Sequence, residues 1–232
     1  MQVAIIQSSY IPWKGYFDII HDVDKFIFLD DVQFTIRDWR SRNRIKTAQG
    51  PAWLSVPVGA KRSRLIREVE LIDHEWQKTH WKTLTHAYGG TPFFNHYREF
   101  FEGIYLGSRW RNLSQMNQAI TTRIAVDLLG VRTSFHDSHE YGCSGKRDDL
   151  LLSILKKAEA TSYLSGPAAK NYIDPGKFAE AGIELQFKDY SNYPEYPQFH
   201  PPFEHAVSIV DLLFHTGPGA KEYLWGWRGT HP

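Results

Sequence analysis

The sequence has few residues that build cross-links and no long apolar run. Among its 232 residues there is one cysteine, Cys143, and there are only two methionines. A single thiol excludes an internal disulfide and an all-cysteine metal cage. No apolar run approaches the roughly 18 residues that a membrane-spanning helix needs, and the first residues lack a signal-peptide cleavage pattern. These absences favour a cytoplasmic protein without a membrane span.

The chain also lacks an excess of either charge. Its 27 basic and 26 acidic residues give a formal net charge of +1, which excludes binding to polyanions by the whole surface. Aromatic residues are abundant instead, at 15% of the chain with 8 Trp and 12 Tyr. Rings in that number suit a site that stacks on planar or sugar ligands, although filling the core is the simpler role.

Two short apolar runs near the start predict a strand, a helix and a second strand. The runs are residues 3–6 and 25–29, and an amphipathic segment at 16–20 separates them. A unit of this length is typical of a parallel βαβ crossover. Ligands of open α/β sheets bind beyond the carboxyl ends of the strands, so we expect a site at residues 7–14 and 30–33.

The rest of the chain predicts one domain over residues 1–232. Helical spacing in consecutive segments indicates a helical insertion at about residues 74–130, and the residues after it alternate between strand and helix patterns. We therefore predict an α/β fold with a Rossmann-like, mostly parallel sheet. Further strands are expected at 52–58, 68–72, 131–135, 162–164 and 183–187, and further helices at 150–158, 172–181 and 207–214.

The first candidate site lies at the exits of the first two strands. There a lysine, carboxylates, amides and rings are expected to converge, with Lys14 on a phosphate and a carboxylate on ribose hydroxyls. The alternative is that Tyr10, Pro12 and Trp13 form a structural corner. The residues of this candidate site are Gln7, Tyr10, Trp13, Lys14, Asp18, Asp30, Asp31 and Gln33.

The second candidate is a basic segment at residues 37–46, predicted as a loop. The guanidinium group of arginine can donate two parallel hydrogen bonds to a phosphate or carboxylate group. Arginines at alternating positions point to one side if the chain is extended. A solvated surface or a salt-bridged network is the alternative. RNA binding is a further interpretation of this segment, but the sequence carries no signature of an RNA-binding fold. The candidate ligand-binding residues are Arg37, Arg40, Arg42, Asn43 and Arg44.

Two glycine-containing loops form a third candidate, at residues 142–147 and 165–168. Backbone amides ahead of a helix can bind anions, and Lys146 and Arg147 add charge to one loop, whereas Ser165 and Gly166 belong to the other. Neither loop has the spacing of a P-loop.

Histidines near Cys143 raise two other possibilities. The spacing of His136 and His139 matches no zinc signature, so we expect no metal site. A Cys143 nucleophile with one of these histidines as its base is an alternative to inert packing of the thiol.

Several of these stretches resemble the WbqC-like protein family. They are residues 7–18, residues 29–34 with 38–46, and residues 53–58. Further similarity lies at 163–167, Tyr172, 196–198 and 208–214 with Gly217, so the resemblance covers nearly the whole chain. Ser8 stands where the family usually has proline.

The resemblance implies a bacterial protein of O-antigen or other surface-polysaccharide synthesis. The activity suggested for the family is the transfer of an acyl or aminoacyl group, for example glycyl, to the amine of a nucleotide-linked amino sugar. The resemblance assigns no cofactor. The donor stays open among an aminoacyl-tRNA, a carrier-protein thioester and a free acid with ATP. A noncatalytic nucleotide-sugar-binding or partner-binding protein of the pathway and a Cys-dependent acyltransferase are the alternatives.

The hypothesis of acyl transfer to a nucleotide-linked sugar gives each group of candidate residues a role. The diphosphate is expected on Arg40, Arg42 and Arg44, and Tyr10, Trp13 and Gln33 shape the pocket. Either Asp30 or Asp31 takes the proton of the amine, because acyl transfer needs a neutral amine.

A second likeness concerns the turn after the first strand. Residues 15–20 are similar to the G-H-x-D-I-I segment of nucleotidylyltransferases of the HIGH superfamily. Histidines of that segment contact phosphate, but aromatic residues stand in their places here, so the likeness suggests the fold more than adenylylation. The loop at Lys146 and Arg147 would then serve as the late basic loop.

Overall fold

A computed structural model describes residues 1–61, 63–71 and 73–229. Its strands lie in two sheets, one of five strands and one of two. They are β1 (Gln2–Ile6), β2 (Lys25–Phe28), β3 (Arg42–Thr47), β4 (Gly50–Ser55), β5 (Ser134–Asp137), β6 (Ser162–Ser165) and β7 (Glu184–Phe187).

The larger sheet has the order β5-β2-β1-β6-β7, and all of its pairings are parallel. Numbered along the chain within that sheet, the strands lie in the order 3-2-1-4-5. Doubly wound dinucleotide-binding sheets begin with the same order. β3 and β4 form a separate antiparallel hairpin. The prediction of an α/β fold with a mostly parallel sheet is therefore confirmed.

Helices cover the sheet. Their bounds are α1 (Lys14–His21), α2 (Glu75–Tyr88), α3 (Phe94–Tyr105), α4 (Leu113–Arg123), α5 (Arg147–Lys157), α6 (Pro175–Glu180) and α7 (Ile209–Thr216). In the part of the chain that the structure describes, none of them combines the length and the apolar content that crossing a bilayer requires.

Successive residues of β1 belong alternately to two different clusters of buried apolar side chains. Val3 and Ile5 pack with residues of α5 and α6, whereas Ala4 packs with residues of α1, α7 and the helices between β4 and β5. A parallel strand buried on both faces has an almost continuous apolar sequence, which explains the run at residues 3–6.

Three helices, α2, α3 and α4, lie between β4 and β5, where the sequence predicts a helical insertion. Asp73 accepts a hydrogen bond from the Glu75 amide at 2.9 Å, and Asn112 accepts one from the Gln115 amide at 3.0 Å. These polar side chains satisfy amide groups that the first turn of each helix leaves unpaired.

Some predicted boundaries are wrong. Residues 42–46 of the basic segment belong to the strand β3 rather than to a loop, and the side chains of Asn43 and Ile45 are buried at alternate positions along it. The predicted edge strand at 68–72 is absent from the described residues, where Ile66–Glu68 forms a 3-10 turn and Glu70 makes an isolated bridge to Asn112; Ile72 lies outside those residues. The helix predicted from residue 172 begins at Pro175.

A buried carboxylate on α7 joins distant segments. Asp211 is fully buried and accepts hydrogen bonds from the hydroxyls of Tyr88 at 2.8 Å and Tyr196 at 2.6 Å, and from the Gln198 amide at 2.8 Å. Burial alone would raise the pKa of Asp211, but hydrogen bonds from His215, Tyr196 and Gln198 lower it below its ordinary value.

Replacing Asp211 tests this connection. Asp211→Ala leaves the donors of Tyr88, Tyr196 and Gln198 without their acceptor, at about 1–3 kcal/mol for each unsatisfied group. We expect the free energy of unfolding, measured with urea, to fall by at least about 3 kcal/mol. Asp127→Ala, at a half-exposed carboxylate, is the matched control and should change it by less than about 0.5 kcal/mol. Equal effects of the two changes would contradict the prediction.

Candidate functional site

A cavity of about 670 Å³ opens at the carboxyl ends of β1 and β6. These neighbouring strands connect in opposite directions, because the chain passes from β1 to β2 on one side and from β6 to β7 on the other. Open α/β sheets bind ligands at such a switch point. The predicted site at the exit of β1 lies there, and its wall includes residues that follow β2, Leu29 and Val32, as well as Ser165 and Gly166 at the end of β6.

The wall of the cavity is mostly apolar, with both aliphatic side chains and rings, and it carries a few polar groups. Ring-bearing lining residues are Trp13, Tyr16, Trp39, Tyr163, Tyr172 and Tyr190. Polar lining residues are Gln7, Ser9, Arg40, Asn43, Arg147 and Ser165. Such a composition is typical of sites for small organic ligands, in which a few polar groups fix the orientation.

The ionic groups that line the cavity are both guanidinium groups. Arg40 has a side chain only 13% exposed and lies 3.8 Å from the carboxylate of Asp38. Its Nε atom is buried without a hydrogen-bond partner. Arg147 begins α5 and forms no ion pair with any residue in the described ranges. Among these same residues, no carboxylate, imidazole, thiol or lysine lines the cavity. The arrangement therefore favours an anionic ligand.

The loop that leaves β1 is irregular and buried, with Ser8 to Pro12 shielded from solvent. Buried backbone groups need partners, and distant segments supply them. Asn43 donates its amide to the carbonyls of Tyr10 and Ile11 at 3.1 and 2.9 Å, and Ser208 donates its hydroxyl to Ile11 at 2.7 Å. Ile11 has φ of 34°, an unfavourable value for a β-branched residue that these contacts hold in place.

The indole of Trp13 forms part of the cavity wall. Its ring lies 5.1 Å from the ring of Tyr190 and packs directly over Gly15, where a Cβ atom would lie 2.3 Å from the indole. Tyr16 donates its hydroxyl to the carbonyl of Gln7 at 3.0 Å. The glycine of the predicted turn thus makes room for an aromatic wall.

The structure brings several predicted site residues together around the cavity and places others elsewhere. The predicted residues that line it are Gln7, Trp13, Arg40, Asn43, Ser165 and Gly166. Arg147, which the sequence analysis placed with Lys146 in a basic loop, also lines the cavity. The sequence analysis did not nominate Tyr172 and Tyr190 as binding residues. Tyr172 stood in a stretch that it singled out, whereas no local signal brought Tyr190 to the exit of β1.

Tyr10 lies outside the cavity, in the core beside the helical insertion. Its hydroxyl hydrogen-bonds to His80 Nδ1 at 2.8 Å and to the Tyr105 hydroxyl at 2.7 Å. Burial, with the neighbouring Tyr105, raises the pKa of Tyr10 well above its ordinary value. Burial also lowers the pKa of His80 to about 4. These groups are neutral packing partners, which agrees with the structural alternative for this tyrosine.

Asp30 does not line the cavity. It is fully buried and accepts hydrogen bonds from the Ser8 amide at 2.9 Å, from the Ser114 hydroxyl, and from the Gln118 amide at 3.2 Å. Both of its oxygens are engaged in joining the exits of β1 and β2 to α4. The geometry favours a structural role for Asp30.

Asp31 is more accessible but also lies outside the cavity wall. Its side chain is 19% exposed, pairs with Arg67 Nε at 2.9 Å and accepts the hydroxyl of Ser138 at 2.8 Å. Its neighbour Val32 does line the cavity. Of the two carboxylates predicted as bases, Asp31 therefore lies nearer to solvent and next to a wall residue.

Lys14 is 3% exposed and surrounded by rings. Its ammonium lies 4.8 Å from the ring centre of Tyr193 and 5.5 Å from that of Tyr196, and 3.3 Å from His205 Nδ1. Burial lowers the pKa of Lys14 to about 8, although the charges of Asp211 and Glu195 oppose the shift. Aromatic faces stabilise the cation there, and Lys14 does not line the cavity.

The remaining predicted residues face other surfaces. Gln33 donates its side-chain amide to the carbonyl of Arg64 at 3.2 Å. Lys146 is exposed and precedes Arg147 without lining the cavity. Arg37, Arg42 and Arg44 line a separate groove. The arginines predicted to act together are thus divided between two sites, with Arg40 alone at the cavity.

The region around Cys143 shows packing rather than a catalytic pair. The thiol donates to the carbonyl of Tyr141 at 3.6 Å, His136 contacts Glu140 at 3.3 Å and His139 contacts Asp137 at 2.9 Å. The Asp137 carboxylate raises the pKa of His139. Within the described ranges, no group of three or more His, Cys, Asp or Glu side chains is arranged to hold a metal ion.

Comparisons with known proteins identify relatives over almost the full length. The WbqC-like protein family matches residues 7–223. A Mycobacterium tuberculosis protein described as uncharacterized protein Rv1507c is 42% identical over 225 residues, which are 96% of this chain and 97% of that protein. No solved structure matches the chain.

The environment of Lys14 predicts a pH-dependent contribution to stability. Below pH 8 the amine is protonated in both folded and unfolded chains, so the cost of burying the ammonium is fully present. Between the folded pKa of about 8 and the ordinary value of 10.5, only the unfolded chain keeps the proton. Stability from this group therefore rises with pH across that window.

Lys14→Met removes the buried charge and keeps the apolar stem. We expect a higher urea midpoint than for the unchanged protein at pH 7, and a difference that shrinks as the pH rises from 8 to 10.5. Lys78→Met, at an exposed lysine of α2, serves as the control. A lower midpoint of Lys14→Met at every pH would show that the ammonium is net stabilising.

Proposed function

The chain belongs to the WbqC-like protein family, and we propose that it binds a nucleotide-linked amino sugar in the central cavity and acylates the sugar amine. The transferred group is an acyl or aminoacyl unit, and a glycyl unit is one case of it. The observation that carries the proposal is the pair of arginines in an aromatic cavity at the switch point of the sheet. We assign the reaction to O-antigen, lipopolysaccharide or other surface-polysaccharide synthesis in the bacterial cytoplasm.

The charges of the cavity suit a diphosphate. Guanidinium groups bind phosphate oxygens through paired hydrogen bonds, and Arg40 has an unpartnered buried Nε atom to offer. Arg147 supplies the second cation from the start of α5. In a nucleotide sugar the diphosphate links the nucleoside to the sugar. A diphosphate bound by these two arginines would therefore have the base on one side and the sugar ring on the other.

The rings of the wall suit the two ends of such a ligand. Trp13 and Tyr190 meet edge to face and present flat apolar surfaces, which bind a nucleobase or the apolar face of a sugar. Gln7 and Ser165 add an amide and a hydroxyl for sugar hydroxyls. A volume of about 670 Å³ lies within the range of small-ligand sites.

In the proposed transfer, the neutral amine of the sugar attacks the carbonyl carbon of the donor. A C–N bond forms, the bond from the carbonyl carbon to the oxygen or sulfur of the donor breaks, and the leaving atom takes the electron pair. The proton lost by the amine passes to a base and then to the leaving group. Asp31 is the assigned base, because its side chain is 19% exposed and it precedes the wall residue Val32, whereas Asp30 is fully buried.

A noncatalytic role in holding a nucleotide-linked sugar is the second candidate. It is favoured by one observation: the lining residues of the cavity, among those the structure describes, include no carboxylate, imidazole, thiol or lysine. Binding would then serve to deliver the sugar to a partner enzyme of the same pathway.

Variants of the two cavity arginines test the binding site. Arg40→Ala and Arg147→Ala each remove a charged hydrogen-bond donor, worth about 1.5–3 kcal/mol. We expect each to weaken binding of a UDP-linked amino sugar, measured by calorimetry, by about tenfold or more. Lys146→Ala is the matched control, because this exposed cation is adjacent in sequence and lies outside the cavity. An equal loss in the control would point to general charge attraction instead.

Asp31→Asn tests the transfer step. The substitution keeps the shape of the side chain and removes its basic oxygen, so turnover with an activated acyl donor should fall by at least about a hundredfold. Binding of the nucleotide-linked sugar should stay within about twofold of the unchanged protein. Unchanged turnover would remove Asp31 as the base, and absence of turnover in the unchanged protein with every donor class would favour the noncatalytic role.

A further inference from the structure

A second groove lies on the hairpin of β3 and β4, next to the cavity. We call it the outer groove; its volume is about 380 Å³ and its lining residues are Arg37, Asp38, Trp39, Arg42, Arg44 and Trp53. Trp39 lines both the outer groove and the central cavity. The two sites are therefore contiguous at this indole.

The indoles of the outer groove are exposed, although burial of such rings would be favourable. Trp39 is 43% exposed and Trp53 is 45% exposed. Their ring centres lie 5.4 Å apart, with 39° between the ring planes. Two adjacent exposed tryptophans present inclined apolar ring faces to solvent, and exposed apolar patches mark binding sites.

Arginines surround these rings. The Arg42 guanidinium stacks over Trp53 at 4.1 Å from the ring centre, and that of Arg44 lies at 5.9 Å. The strand period explains this placement, since Arg42 and Arg44 alternate along β3 and Arg44 pairs with Trp53 on β4. Buried Nε atoms of both arginines have no hydrogen-bond partner.

Local acids neutralise only part of this charge. Arg44 contacts Glu204 at 3.9 Å, and Asp38 contacts Arg40 at 3.8 Å. Within the described part of the chain, Arg37 and Arg42 take part in no ion pair. The outer groove therefore combines flat apolar faces with cations that have unused hydrogen-bond capacity.

We propose that the outer groove is a second nucleotide-binding site, which holds the base and phosphate of the acyl donor while the central cavity holds the acceptor. A base stacks on the exposed indoles, as bases do on aromatic platforms of nucleotide-binding proteins, and the phosphate contacts the guanidinium groups. An acidic peptide would satisfy the arginines but would leave the paired indoles without a planar partner.

The contact at Trp39 sets the direction of the donor. With its nucleotide in the outer groove, the acyl end extends past Trp39 into the central cavity, where the sugar amine lies. This part of the inference rests on the proposed function, whereas nucleotide binding to the outer groove does not. A free adenylate, coenzyme A and the end of an RNA strand share the required chemistry of a base beside a phosphate.

Calorimetric titration with ATP, coenzyme A and the RNA trinucleotide CCA distinguishes these sources. We expect at least one of them to bind, and Trp53→Ala and Arg42→Ala each to weaken that binding by about tenfold, the loss typical of one stacked base. Trp53→Phe keeps a ring and should retain most of the affinity. Trp227→Phe, at an exposed indole outside the groove, is the control, and thermal unfolding verifies that each variant folds.

Two outcomes would overturn the assignment. One is that none of the three nucleotides binds, and the other is that they bind equally to the unchanged protein and to both groove variants. A parallel titration with a UDP-linked amino sugar separates this inference from the proposed function. If that sugar fails to bind while nucleotides bind in a manner that depends on Trp53, the proposed acceptor fails and the second nucleotide site stands.

Discussion

The buried loop at the exit of β1 is the constraint on which the site depends. An irregular segment without access to water must find a partner for each backbone polar group, and this loop finds them in Asp30, Asn43 and Ser208. Those residues come from three separate parts of the chain. The hydrogen bonds that satisfy the loop therefore also fix the positions of β2, the β3–β4 hairpin and the segment before α7 around the cavity.

The hairpin then divides the basic segment between two surfaces. Asn43 turns inward to hold the loop, while Arg42 and Arg44 turn outward over Trp53 because strand residues alternate in direction. Arg40 precedes the strand and points into the cavity instead. One short stretch of sequence thus supplies one of the two arginines of the cavity and five of the six residues that line the outer groove.

Several chemically reactive side chains serve the core rather than the cavity. Lys14, Asp30 and Asp211 are buried, and each has neighbours that compensate for its loss of water: aromatic rings for the lysine and hydrogen-bond donors for the two carboxylates. Residue type and predicted position at the strand exits made the first two of them candidate site residues. Burial and partners are properties of the folded chain, and they distinguish a buried structural charge from an accessible reactive one.

The sequence by itself determined the α/β class, the βαβ start, the helical insertion and the family, because apolar periodicity, helix caps and local motifs are short-range signals. It also predicted that residues after β1 line a site. Only the tertiary structure decided that the end of β6 joins the exits of β1 and β2 at the cavity, and that Arg147 and Tyr190 join Arg40 there. The order of strands depends on which side each crossover takes, and that choice follows from packing between residues far apart in the chain.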